Sequence, residues 1–167
     1  LQDAQAAIGN TVTIFMIISV LLTVMLLIFI NPIVAVMDTP EEAVKGITDY
    51  LIVCFIGIPF ITAYNVISSI FRGLGDSKSP MYFIAVACGL NIALDYIFIG
   101  VCGMGPLGAA LGTTLAQTFS VIISFVAIKR MNTGLRLTKN DFVPRRSVLG
   151  EIVKIGLPAV SYTHLRA

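Results

Sequence analysis

Residues 91–113 read NIALDYIFIGVCGMGPLGAALGT, and this stretch sets the interpretation of the whole chain. Asn91 and Asp95 are four residues apart, so both lie on one face of a helix. Thr113 follows in the next apolar segment, and no residue from 81 to 128 other than Asp95 is charged. A carboxylate at membrane depth costs at least about 2.5 kcal/mol on insertion scales. Asp95 is therefore expected to face protein, a cation or a water-filled cavity.

The composition is that of a membrane protein. Hydrophobic residues make up 57% of the chain and charged residues 12%, with a mean hydropathy of +0.94. A soluble domain carries about 25% charged residues. Residues 4–37 and 50–71 contain no charged side chain at all. About 20 apolar residues cross a bilayer core, and these runs lack the alternation of a membrane strand. The prediction is an all-α, polytopic membrane protein.

The apolar runs divide the chain into segments. Four spans are predicted at about residues 12–30, 50–71, 80–100 and 107–128, within a membrane region covering 1–128. Residues 129–147 are predicted to form a basic linker, and 148–160 the start of a fifth span. The end, 161–167, breaks that apolar run and is expected to be a non-native tail. The first residues have no initiator Met or signal peptide, so we expect an internal piece of a longer protein.

Local signals predict where the first helices begin and end. Pro32 is expected to stop or kink the first span. Thr39 and Glu42 have the spacing of a capping box, and Pro40 suits the first helical position. These residues predict a short interfacial helix that runs on into the second span. Within that span, Pro59 removes a backbone donor and is expected to kink the helix.

The turn after the second span carries a compact motif, RGLGDSKSP at 72–80. Glycine is expected to end one helix, Asp76, Ser77 or Ser79 to cap the next, and Pro80 to open it. A fold-supporting role at this turn is predicted for Arg72, Gly73, Gly75, Asp76 and Pro80.

The loops also predict an orientation in the membrane. Eight Lys and Arg residues lie at the 72–79 turn and the 129–146 linker, and the loops on the other side hold one, Lys45. Basic residues concentrate on the cytoplasmic side of membrane proteins. The turn and the linker are therefore predicted to be cytoplasmic, in a multi-pass protein of the cell (inner) membrane. With this orientation, Asp95 and Thr113 meet at one depth if the third and fourth spans pack together.

Gly103–Gly108 matches G-x-G-x-x-G, but the match lies between two membrane spans and has no acidic residue about 20 positions later. A helix-hairpin turn is predicted instead of a dinucleotide loop. After it, small residues recur every four positions and predict a smooth strip for helix packing: Gly108, Gly112 and Ala116.

Two roles remain open for Asn91, Asp95 and Thr113. They can fix helix packing by hydrogen bonds, or they can form a site for Na⁺ or H⁺, since carboxyl, amide and hydroxyl oxygens are hard ligands. No Ser-His-Asp set, zinc spacing or Walker lysine occurs. We therefore predict no enzymatic activity, no cofactor or metal beyond the coupling ion, and no nucleic-acid partner.

Four motifs in this order resemble the MATE family of multidrug and toxic compound extrusion transporters. They are RG-x-GD-x-x-x-P at 72–80, N-x-x-x-D at 91–95, GAA-x-x-T-x-x-x-Q at 108–117 and IGLPA at 155–159. The resemblance implies two six-helix bundles, of which this chain covers helices three to six of the first and the start of helix seven. It also implies that Asn91, Asp95 and Thr113 join an Asp on helix one as a sodium or proton site.

The resemblance implies cation-coupled antiport that exports drugs or organic cations. The expected partners are the lipid bilayer, small amphipathic or cationic solutes, Na⁺ or H⁺, and the remainder of the same chain. The segment alone is not expected to transport. Two alternatives stay open: a lipid-linked saccharide flippase of the same superfamily, whose cavity would be expected to show several basic residues, and a membrane scaffold that does not transport.

Overall fold

The computed structural model describes residues 2–130, together with Gly150 and Lys154. Its helices are α1 (Gln2–Ile28), α2 (Ile30–Val36), α3 (Glu41–Gly73), α4 (Lys78–Asp95) and α5 (Gly105–Arg130), and α4 continues as a π-helix over Tyr96–Val101. No strand occurs in this part of the chain. The predicted linker beyond Arg130, the fifth span and the tail lie outside the described residues, apart from Gly150 and Lys154.

Within residues 2–130, four helices are long and apolar enough to cross a membrane: Gln5–Ile28, Glu41–Gly73, Lys78–Val101 and Gly105–Arg130. At about 1.5 Å per residue, the 24 residues of the shortest reach about 36 Å, more than a hydrocarbon core of about 30 Å. The predicted all-α, polytopic membrane fold is confirmed. The helices also extend beyond the apolar spans, because helical hydrogen bonding continues through the polar residues that flank each span.

Residues Met16–Met131 form one compact unit, and a second unit contains Leu1–Phe15. In the described part of the second unit, Asn10 Nδ2 donates to the Ala6 carbonyl at 2.8 Å. The remaining description concerns the first unit.

The first helix break lies at Phe29, and Pro32 sits inside the first turn of α2. Pro32 has no N–H to donate to the carbonyl of Ile28, four residues before it, and α1 ends at Ile28. The helix is therefore interrupted about one turn before Pro32, whereas the sequence prediction placed the interruption at Pro32 itself. The capping-box prediction is wrong: α3 begins at Glu41, with Pro40 as its N-cap, and no side chain caps it.

The long helix α3 continues through Pro59. Because Pro59 has no N–H, the Phe55 carbonyl loses its usual helical donor. The Thr23 hydroxyl on α1 donates to that carbonyl at 3.0 Å, and Thr23 is buried. A hydrogen bond between helices therefore replaces the one that the proline removes.

Many small and polar side chains are buried, and many large apolar ones face outward. Ser120 and Ser124 are 1% and 0% exposed, whereas Leu21 and Ile92 are 63% and 65% exposed. A soluble domain shows the reverse. Membrane helices pack through small residues because lipid and protein interiors are equally apolar. In this arrangement α5 packs against both α3 and α4.

The turn between α3 and α4 is a Schellman motif. Gly75 has a positive φ of +85°, its N–H donates to Arg72 O at 3.0 Å, and the Asp76 N–H donates to Phe71 O at 2.9 Å. These two bonds satisfy carbonyls that the end of α3 would leave without donors. The motif explains why the sequence places a glycine two residues after the last residue of α3.

Asp76 then caps the next helix. Its Oδ1 accepts from the backbone N–H groups of Lys78 and Ser79 at 3.1 and 3.0 Å, and the Ser79 hydroxyl donates to Oδ2 at 2.5 Å. Of the three candidate caps, Asp76 makes these bonds. Pro80 lies in the first turn of α4, and its carbonyl accepts a 2.8 Å hydrogen bond from the buried Tyr64 hydroxyl on α3.

An aromatic pair stabilises the same end of the helix pair. Phe71 is fully buried, and its ring meets that of Phe83 edge to face with centroids 5.5 Å apart. Such pairs contribute about 0.5–1.5 kcal/mol beyond the area they bury. The Tyr64 hydrogen bond and this ring contact together fix how α4 starts against α3.

We expect Gly75→Ala to lower the free energy of unfolding by about 1 kcal/mol, because an L side chain is strained at positive φ. The matched control is Gly73→Ala. Gly73 lies at the helical end of α3, and a Cβ there meets nothing within 4 Å, as at Gly75. Thermal unfolding of the purified full-length protein measures both. Equal shifts for the two variants would contradict the assignment of strain to Gly75.

Asp76 predicts a pH dependence of stability. The Ser79 hydroxyl and N–H hydrogen bonds hold the pKa of Asp76 below its usual value of 3.8. Its contribution is therefore fully present above that pH and is lost as the pH falls through the lowered pKa. The difference in unfolding midpoint between wild type and Asp76→Asn should shrink as the pH is taken from neutral to below 3.8. A difference that stays constant would contradict the role of the ionised carboxylate.

Candidate functional site

The structure brings Asn91, Asp95 and Thr113 together between α4 and α5. The Asn91 Nδ2 atom donates to Asp95 Oδ1 at 3.4 Å and to Thr113 Oγ1 at 3.3 Å. Asn91 and Asp95 are half-buried, and Thr113 is exposed. We call these three residues the polar trio. Both hydrogen bonds are longer than the usual 2.7–3.2 Å of N–H···O bonds. The trio is therefore linked across the two helices but loosely held.

Gly112 makes room for the carboxylate. A Cβ built at Gly112 would overlap Asp95 Oδ1, and it would lie 3.4 Å from Asp95 Cγ and 3.5 Å from the Asp95 backbone nitrogen. A helix with any side chain at this position could not approach α4 so closely. The side chain of Asp95 thus occupies the space that the missing Cβ leaves on α5.

The close approach continues along a strip of buried small residues, which we call the α5 strip. Its members recur every four residues: Gly108, Gly112, Ala116, Ser120 and Ser124. A Cβ at Gly108 would lie 3.0 Å from Phe98 Cβ, and the Ser120 hydroxyl donates to Phe83 O at 3.5 Å. The strip therefore faces α4 and its π-helical extension. The sequence prediction stopped at Ala116, although the same spacing of small residues continues to Ser124.

The π-helix begins at the residue after Asp95. The Cys102 N–H donates to Ile97 O, five residues earlier, at 2.9 Å, and the Met104 N–H donates to Phe98 O at 2.9 Å. Short π-helical segments occur frequently at functional sites. Periodicity cannot predict one, since a π-helix carries no separate apolar pattern, and the sequence prediction missed it. The connection 102–104 follows, so the G-x-G-x-x-G match lies at a turn between helices.

The other predicted residues lie elsewhere. Arg72, Gly73, Gly75, Asp76 and Pro80 surround the α3–α4 turn, and none of them contributes a hydrogen bond to the polar trio. The Arg72 guanidinium donates to the hydroxyls of Ser68 and Ser69 on its own helix, at 2.8 and 3.0 Å. The predicted residues therefore lie in two places, the α3–α4 turn and the polar trio between α4 and α5.

The chemistry of the polar trio follows from its donor set. Asp95 is the only charged residue between Lys78 and Lys129, and the residues described contain no group of three His, Cys, Asp or Glu side chains that could hold a metal ion. A carboxylate beside one amide and one hydroxyl can take a proton, or can offer oxygens to a single monovalent cation. The arrangement is that of a membrane protein with an ionisable group inside its helix bundle.

Comparison with known proteins agrees with this class. The MatE family model matches residues 1–97. The chain therefore belongs to the MatE family, and the resemblance found in the sequence is confirmed.

Two curated relatives carry names that concern drug resistance. The "Probable multidrug resistance protein YpnP" of Bacillus subtilis (strain 168) is 39% identical over 124 residues, which cover 74% of this chain and 27% of that protein. The "Multidrug export protein MepA" of Staphylococcus haemolyticus is 27% identical over 144 residues, covering 86% and 32%.

Solved structures of the same family share the fold. One match is the inward-facing conformation of a multidrug resistance MATE family transporter of the MOP superfamily. Its TM-score is 0.78 at 28% identity, and the match covers 93% of this chain and 41% of that one. A second match is a MOP superfamily transporter from Pyrococcus furiosus Vc1, for which a reverse polarity of the binding pocket suggests a different function. Its TM-score is 0.83 at 32% identity, and the match covers 94% of this chain and 35% of that one. The chain spans about a quarter to two fifths of the length of these four proteins.

Gly112 gives a direct test of the packing at the polar trio. We expect Gly112→Ala to destabilise the full-length protein by about 1–3 kcal/mol, because the new methyl group displaces the Asp95 carboxylate or separates α4 from α5. The control is Gly89→Ala on α4, where a Cβ meets nothing within 4 Å. Thermal unfolding in detergent provides the measurement.

A double-mutant cycle locates the clash. Gly112→Ala should cost less when Asp95 is also changed to Ala, with a coupling of about 1 kcal/mol, because residues in contact are not additive. Full additivity of the two changes would show that the clash lies elsewhere.

Proposed function

We propose that the complete protein containing this chain exports amphipathic or cationic solutes in exchange for Na⁺ or H⁺, and that Asp95 exchanges the ion. The observation that carries the proposal is the position of this carboxyl. It lies within an uncharged stretch of two membrane-length helices, linked through Asn91 to Thr113. Ionisable residues at that depth are costly and commonly mark ion or proton pathways. The names of the two relatives support drug export as the activity.

The ion and the solute must favour opposite conformations for exchange to occur. Asp95 is suited to this role because its carboxylate lies against the α5 backbone at Gly112. Binding a proton or a cation removes the net negative charge at that contact and changes which hydrogen bonds Asn91 can make. The packing of α4 on α5 then differs between the two charge states, and the solute is bound by the opposite state.

The proposal also includes an orientation in the membrane and a choice between drug export and the flipping of lipid-linked saccharides. With the Arg72 turn and the basic linker in the cytoplasm, the polar trio lies toward the outer side of the membrane. The apolar stretches 50–71 and 81–128 contain no basic residue. A flippase for lipid-linked saccharides would be expected to line its cavity with such residues, so the charge pattern favours a cationic or neutral amphipathic solute.

We expect Asp95→Asn in the full-length protein to lower the initial rate of dye extrusion at least about tenfold, because an amide neither takes up a proton nor carries charge. Efflux-deficient cells with an imposed sodium or proton gradient provide the assay, at equal membrane abundance of each variant. Asp38→Asn is the matched control, since Asp38 is exposed and has a φ of +49°, which Asn accommodates well.

Two outcomes would contradict the proposal. Unchanged extrusion by Asp95→Asn would remove Asp95 from the mechanism. Failure of the wild type to extrude any cationic or amphipathic dye would favour the flippase or the scaffold.

A further inference from the structure

A partly open cavity of about 130 Å³ lies between α3 and α5. Tyr50, Cys54, Gly57 and Ile61 line it from α3, and Ala109, Ala110, Thr113, Thr114 and Gln117 line it from α5. Thr113 therefore belongs both to this cavity and to the polar trio. We call this space the α3–α5 cavity.

Gln117 gives the cavity a specific chemistry. Its Oε1 atom is buried and has no hydrogen-bond partner in the part of the chain that the structure describes. Leaving a buried carbonyl oxygen without a donor is costly, and most buried polar groups in proteins are satisfied by protein or ordered water. The cavity thus presents an acceptor that needs a donor, and the donor has to fit the space available.

The size of the space favours water as that donor. A water molecule occupies about 30 Å³ in the liquid, so a cavity of about 130 Å³ has room for roughly four. Sites for drug-sized ligands begin at about 300 Å³. A water molecule also needs two or more polar partners, and the cavity offers Thr113 and Thr114 hydroxyls in addition to the Gln117 carbonyl.

Thr113 connects this space to the ion site. Asn91 uses both hydrogens of its amide, one toward Asp95 and one toward the Thr113 oxygen. The Thr113 hydroxyl keeps its own hydrogen to donate. Thr113 and Gln117 are four residues apart on one helix face and both line the cavity, so a water molecule in it can contact both side chains.

We propose that ordered water in the α3–α5 cavity bridges Gln117 to Thr113, and that Gln117 thereby acts as a positioning residue for the polar trio. A chain of hydrogen bonds then runs from Asp95 through Asn91 and Thr113 to the water and Gln117. The transport part of this inference rests on the proposed function, whereas the hydration part does not.

The hydration is tested on the full-length protein by X-ray radiolytic labelling, in which radicals formed from ordered water oxidise neighbouring side chains. Cys54 lines the cavity, is half-buried, and reports on it. We expect Cys54 to be labelled in the wild type and several-fold less in Gln117→Leu, which removes the carbonyl oxygen and roughly keeps the volume without adding a readily oxidised sulfur. Thr118→Val is the control, because the Thr118 hydroxyl bonds its own helix at Thr114 O, at 2.8 Å.

Absence of Cys54 labelling in the wild type, or equal labelling in Gln117→Leu, would overturn the hydration. So would a higher unfolding midpoint for Gln117→Leu, because removing an unpaired carbonyl from a dry cavity stabilises a protein. These readouts do not depend on transport, so they stand if Asp95 proves to have no role.

The positioning role is tested by transport. We expect Gln117→Leu to raise the half-saturating concentration of the coupling ion about threefold to tenfold, the effect of losing about one hydrogen bond, with the maximal rate nearly unchanged. Gln117→Asn keeps an uncharged amide acceptor, one methylene shorter, and should shift it less. A shift in the half-saturating solute concentration with none for the ion would overturn the assignment, because the donor to Gln117 would then belong to the solute.

Discussion

The close approach of α4 and α5 is the constraint on which the rest of the structure depends. Two helices meet here with a carboxylate between them, and that is possible because Gly112 has no side chain. Without a hydrophobic driving force between helices in lipid, small residues provide the packing contact. The α5 strip extends that contact from Gly108 to Ser124. Gly112 therefore both allows the two helices to pack closely and provides the space that the Asp95 carboxylate occupies.

The sequence predicted much of this from simple physics. Length and apolarity located four membrane helices, and the spacing of Asn91 and Asp95 placed both on the face that meets Thr113. Glycine signals located the α3–α4 turn correctly, because Gly75 needs a positive φ that other residues resist. These features depend on local geometry or on the cost of burying charge in hydrocarbon, and both can be derived from residue types.

Other features depend on contacts that residue types do not determine. The Thr39 capping box has the right spacing, but α3 begins after Pro40 and leaves Thr39 outside the helix. The π-helix after Asp95 and the hydrogen bond from Thr23 to Phe55 O each require a partner distant in sequence or a change in helical register. Gln117 lay in a motif that the sequence did display. That its carbonyl oxygen is buried without a hydrogen-bond partner depends on how α3 packs beside α5, which residue types do not determine.

The polar groups of α5 lie on two faces of the helix, and each face contacts a different neighbour. The α5 strip packs against α4, whereas Thr114 and Gln117 face α3. The Thr114 hydroxyl donates to Val53 O at 3.4 Å, and its oxygen would lie 3.0 Å from a Cβ at Gly57. Thr113 lies between these two faces and is the one residue of the trio that also lines the α3–α5 cavity. A change of charge at Asp95 therefore acts directly on α5 at Gly112 and, through Asn91, on Thr113, which lines the α3–α5 cavity. Coupling between an ion and a distant solute requires a second element that responds to the first. Under the proposed ion exchange, we expect α3 to be that element, because it lines the cavity to which Thr113 belongs.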